Sequence, residues 1–120
     1  MTITMNPHAK ALLIQCLEEL ADRSFQDRVW VRGDGPEVSS AVELVCQLFD
    51  DTGLGDLLES GGVATALGPD ADRALRELQG LLDGVPAGLD AASLLRHPAW
   101  KAVMRAARDA LDAMSAGQGK

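Results

Sequence analysis

The chain has 120 residues, 47% of them hydrophobic and 24% charged, and a formal net charge of −7. That balance is too apolar for a disordered segment and ample for one domain with its own core, while the negative charge repels nucleic-acid phosphates. Met1 to Asn6 lacks the basic-then-apolar pattern of a secretory signal, and no apolar run approaches the roughly 18 residues of a membrane span, so a cytoplasmic protein is expected.

Phe25, Trp30, Phe49 and Trp100 are the only aromatic rings, which leaves Leu, Val and Ala to fill the core, as suits closely packed helices. The abundance of Ala and Gly, with Arg preferred to Lys, points to a high-GC bacterial coding sequence. Asn6-Pro7 opens the first helix, with Asn as the cap and Pro in the first turn. Leu12, Leu13, Cys16, Leu17 and Leu20 form its buried stripe as far as Asp22. From Arg23 to Arg32, Phe25 and Val29 stand at i, i+4, which predicts a short second helix followed by a loop. Val29-Trp30-Val31 also suits a strand, although no comparable run offers it a partner.

After the Gly33-Asp34-Gly35-Pro36 turn comes the most apolar run, read here as the central helix. Val38, Ala41, Val42, Val45, Leu48 and Phe49 line one of its faces. Its start is either Pro36 or a capping box of Ser40 and Glu43. Cys16 and Cys46 both fall on apolar helical faces and are expected to be buried; a disulfide between them is not required. A short helix over Leu54–Ser60, capped by Asp51 or Thr52, ends at Gly61-Gly62. Val63 to Leu67 reads as an apolar connector.

Gly68-Pro69-Asp70 opens a helix whose stripe is Ala71, Ala74, Leu75, Leu78, Leu81 and Leu82, with Arg73 and Glu77 as an i, i+4 pair. Gly84-Val85-Pro86 stops it. Asp90 caps a short helix through Leu95, and Pro98 starts a final one that turns Trp100, Val103, Met104, Ala107 and Leu111 inward. The tails, 1–5 and 115–120, are expected to fray. The pattern is all-α: a compact bundle of about five to six helices with short loops, in one domain over 1–120.

The charge is unevenly spread. Residues 1–32 are neutral overall, residues 33–90 carry twelve acidic against two basic side chains, and residues 91–120 have a net charge of +3. Asp50 and Asp51 sit where a helix end already bears partial negative charge, and Asp56 and Glu59 follow closely. Two readings stand: a solvated acidic surface with one cap, or a patch that binds a basic partner. Arg96, Lys101, Arg105 and Arg108 read as a solvated helix surface.

The chain contains no nucleophile-and-base signature and no Gly-rich phosphate loop. His8 and His97 lie at helix starts. The four carboxylates offer the oxygen ligands that Mg2+ and Ca2+ favour, but not at the spacing of an EF-hand loop. The expectation is no catalytic residue, no metal and no cofactor.

In size, charge and helical build the chain resembles the small acidic immunity proteins of bacterial toxin systems. Phe25-Gln26-Asp27-Arg28-Val29-Trp30 and Leu48-Phe49-Asp50-Asp51-Thr52-Gly53-Leu54 carry the likeness. It implies a cytoplasmic antidote that binds one cationic, nuclease-like toxin and blocks its active site. On that reading Asp50, Asp51, Asp56 and Glu59 meet the basic partner and Trp30 is an aromatic anchor. The alternative is a structural or regulatory helical protein, a homodimer through Val103, Met104 and Leu111 of the last helix. A metal-dependent enzyme on the carboxylate cluster is the remaining rival. Nucleic-acid and membrane partners are not expected.

Overall fold

Local capping signals set the helix starts. The computed structural model describes residues 5–33, 40–86 and 88–118, with eight helices and no strand among them. The first helix, α1 (Pro7–Ala21), begins where the Asn6 side chain accepts from the His8 amide at 2.8 Å. Leu13, Cys16, Leu17 and Leu20 are buried as their spacing requires. Asp22 then starts α2 by accepting from the Phe25 amide at 3.0 Å. This helix opens as an α-turn over Arg23–Phe25 and widens into a π-helical turn over Gln26–Val31. An i→i−5 bond from the Arg32 amide to the Asp27 carbonyl, 3.1 Å, closes it. Val29-Trp30-Val31 is therefore helical.

The next helix, α3, starts at Ser40, whose hydroxyl accepts from the Glu43 amide at 3.2 Å. It runs over Ala41–Cys46 and also widens, into a π-turn over Gln47–Asp51. Two expectations fail here. The helix is not central, and its buried residues are Leu44 and Leu48, while Val42 is 74% exposed. Leucine at i, i+4 outcompetes the Val42–Val45 stripe because each Leu buries more apolar surface. Cys46 is consequently exposed rather than buried, and both cysteines are free thiols. Val38 and Pro36 lie outside the described residues.

Gly53 holds the N-cap position of α4 (Leu54–Ser60), and Thr52, rather than Asp51, serves its first amide from one residue further back: its hydroxyl accepts from the Leu54 amide at 3.1 Å and donates to the Leu48 carbonyl. Gly61, at φ +77°, makes the left-handed turn into α5 (Gly62–Leu67), so the expected connector is helical. α6 (Pro69–Asp83) buries Ala71, Ala74, Leu75 and Leu78. Arg73 pairs with Asp70 at 2.9 Å, one turn before it, instead of with Glu77. Asp90 caps α7 (Ala91–Arg96) by accepting from the Ser93 amide at 2.7 Å, and that bond holds its carboxyl below the usual range. The His97 ring nitrogen Nδ1 accepts from the Ala99 amide at 3.1 Å and opens α8 (Pro98–Gln118).

The bundle is built around α8, which packs along α6 and α1. Trp100, Val103, Ala106, Ala107, Ala110 and Met114 are its buried residues. The three alanines let neighbouring helices approach closely. Arginines then fasten helix ends, where carbonyls lack intrahelical partners. Arg23 donates to the Leu95 carbonyl of α7 at 3.0 Å, Arg76 to Leu58 of α4 at 3.0 Å, and Arg108 to Ala21 of α1 at 3.4 Å.

One buried polar side chain joins three helices. Gln26 is 0% exposed. Its Nε2 donates to the carbonyls of Glu19 and Leu20, both at 2.9 Å, and its Oε1 accepts from the Trp100 indole at 3.0 Å. Gln26→Leu conserves the volume but strands the indole N–H and the Leu20 carbonyl in the core. Chemical denaturation should show a loss on the order of 3 kcal/mol, and Trp100→Phe one of similar size, since it strands the Gln26 Oε1 and leaves a cavity where the buried indole was.

Candidate functional site

The acidic cluster is built by the π-turn that ends α3 and the first turns of α4. Gly53, at φ +77°, reverses the chain between them. Gly55 lets the two segments abut, since a Cβ there would lie 3.1 Å from the Phe49 carbonyl oxygen. The result is a hollow of about 360 Å³ lined by Phe49, Asp50, Gly55, Asp56, Glu59 and, from α6, Gln79.

The structure thus brings Asp50, Asp56 and Glu59 to one hollow and leaves all three exposed. Among the described residues none of the three has an ion-pair partner. Three acids elsewhere do have such partners: Asp27 pairs with Arg23, Asp70 with Arg73 and Asp72 with Arg76. Asp51, although exposed, is not part of the hollow; its charge acts on Cys16 of α1. Burial first, then the charges of Glu19 and Asp51, push the Cys16 thiol up to about 11. No group of three or more Asp, Glu, His or Cys side chains among the described residues is placed to hold a metal ion.

Trp30 is partly turned inward. It is half-buried against the core, edge-to-face with Trp100 at 5.9 Å and with Phe25 at 6.5 Å. Arg96, Lys101, Arg105 and Arg108 are exposed, and Arg108 is held by the Ala21 carbonyl. The face suggested for self-association is spent on the core: Val103 is fully buried, and Met104 and Leu111 pack against the core half-buried. No helix among the described residues is long and apolar enough to cross a membrane.

A second hollow, missed in the sequence, lies beside the N-terminal half of α3. It measures about 320 Å³; Val42, Val45 and Cys46 face Leu82, Val85 and Leu89 across it. Its signal was present in the Val42–Val45 stripe, which is apolar but faces outward.

Fold and hollows define an all-helical protein whose notable surface is a pair of concavities, one acidic and one apolar. The chain belongs to the family described as a domain of unknown function (DUF7945), whose model matches residues 5–120. No curated protein and no solved structure matches it.

Among the described residues these carboxylates have no ion-pair partner and repel one another, while Asp56 gains a little from its place in the first turn of α4. The triple variant D50N/D56N/E59Q should therefore melt within a few degrees of the parent in a calorimetric scan at low salt; a markedly lower Tm would mean that the acids are needed for the fold. The thiols give a second prediction. At pH 8 a thiol reagent should modify Cys46 at once and Cys16 only on unfolding. The folded state also holds the Cys16 proton more tightly than a free thiol of pKa 9.0, so its contribution to stability falls as pH rises from about 9 toward about 11.

Proposed function

We propose that this chain is a protein-binding module of the immunity type, which neutralises a basic, nuclease-like toxin by binding it one to one. One observation carries the reading: Asp50, Asp56 and Glu59 surround a single hollow without ion-pair partners among the described residues. A fold can place acids anywhere on its surface and balance them with nearby arginines, as α6 does. Concentrating them without balance costs self-repulsion, which a cationic partner relieves. Such a surface also speeds encounter with basic proteins and turns away acidic ones. Inhibition by covering a toxin's cationic active site needs no catalytic group, metal or cofactor of the inhibitor's own.

The test is capture of partners by the tagged chain from its own organism, at low and high salt, followed by mass spectrometry. The reading expects a single basic protein, held in equal stoichiometry and weakened by salt. D50N/D56N/E59Q should weaken that complex by roughly tenfold or more, because close interfacial charge pairs are strongly coupled. Unchanged affinity in the triple variant would overturn the site, and retention of acidic or salt-insensitive partners would overturn the class of partner.

A further inference from the structure

Both hollows take lining residues from α3 and α6, the acidic one adding Asp56 and Glu59 of α4. On one side the α3 helix supplies Val42, Val45 and Cys46 to the apolar hollow and then Phe49 and Asp50 to the acidic one. On the other, α6 supplies Gln79 to the acidic hollow and Leu82, one turn on, to the apolar one. Lining residues run from apolar to acidic along α3 and from acidic to apolar along α6. We infer from that order that the two concavities lie end to end as one docking furrow, and that its occupant is an amphipathic basic helix of the partner protein. The inference rests on the basic-partner reading above and adds what a charge argument alone does not: the partner's shape and its order of side chains.

Charge and exposure both select that occupant. Val42 is 74% exposed, the largest exposure of any large hydrophobic residue described, and it stands at the rim of the apolar end. An exposed valine beside a ready concavity is surface that a partner's apolar side chain would remove from water. The other end carries three carboxylates with no ion-pair partner among the described residues. Val42 and Asp50 are eight positions apart, about 12 Å along a helix. A helix lying in the furrow would put apolar side chains at i, i+3 and i+4 into one end and Lys or Arg about two turns further into the other. A second copy of this chain suits the groove poorly. Its only net-positive segment, residues 91–120, buries its apolar residues Trp100, Val103 and Met114 in its own core.

The probe is a synthetic helix of roughly 16 residues, with Leu at i, i+3 and i+4 and Lys at i+7, i+8 and i+11, titrated calorimetrically into the full chain at low salt. Two control peptides replace the leucines by Ser or the lysines by Glu. Two chain variants block one end each: Val42→Glu at the apolar end and D56N/E59Q at the acidic end, both at exposed positions. The groove predicts binding of the parent peptide and a loss of roughly tenfold or more for each control and each variant. If the serine peptide binds as tightly as the parent, or Val42→Glu changes nothing, the groove is overturned while the basic-partner reading stands. If the glutamate peptide binds as tightly, both fall. Failure of every peptide overturns the groove and leaves the capture experiment to judge the partner. Concentration-dependent self-association that Val42→Glu abolishes would identify a second copy as the occupant and overturn the inference.

Discussion

The primary amide of Gln26 is the interaction on which the arrangement of helices depends. Its Nε2 donates to the Glu19 and Leu20 carbonyls near the end of α1, and its Oε1 accepts from the Trp100 indole of α8. In a core made otherwise of leucine and alanine, these directional bonds fix how α1, α2 and α8 meet, which apolar contact alone does not. The π-turn of α2 belongs to the same device: it widens the helix just where Gln26 and Trp30 turn toward Trp100. With those three helices locked and α6 laid against α8, the core is nearly complete without the outer face of α3.

That leaves α3 in an unusual position. Leu44 and Leu48 tie it to the core, so its valines and its terminal aspartates are turned outward together. Thr52 stitches the π-turn to α4, and the missing side chain of Gly55 brings the two close. The fold thus gives α3 and α6 a share in the lining of both an apolar and an acidic concavity. Folding alone asks for neither the exposed valine nor three neighbouring carboxylates without ion-pair partners among the described residues; the recognition proposed above, of a basic, amphipathic partner, would account for both.

Local signals were legible in the sequence because their physics is local. Asn6-Pro7, Ser40, Asp90 and Pro98 mark helix starts by satisfying free amides within a few residues, and the structure starts helices at each. The α1 and α6 stripes were legible because each has only one apolar face. In α3 two stripes compete, Val42–Val45 and Leu44–Leu48, and only packing against α1 decides between them. The π-turns were illegible: each adds a residue to a turn and shifts the helical phase, which a 3.6-residue period does not register. Gln26 was passed over because a glutamine is a surface residue by default. Of the site, the carboxylates were legible as a charge excess, but the separation of Asp51 from the other three, and the packing of Trp30 against the core, come from tertiary contacts.

The account is tested most directly by amide hydrogen exchange on the chain alone and in complex with its captured basic partner. It predicts new protection in residues 41–60 and 79–86, the two walls of the furrow, with residues 96–112 on the exposed side of α8 unchanged. Protection confined to α8 or α1, with the furrow exchanging as in the free chain, would contradict it.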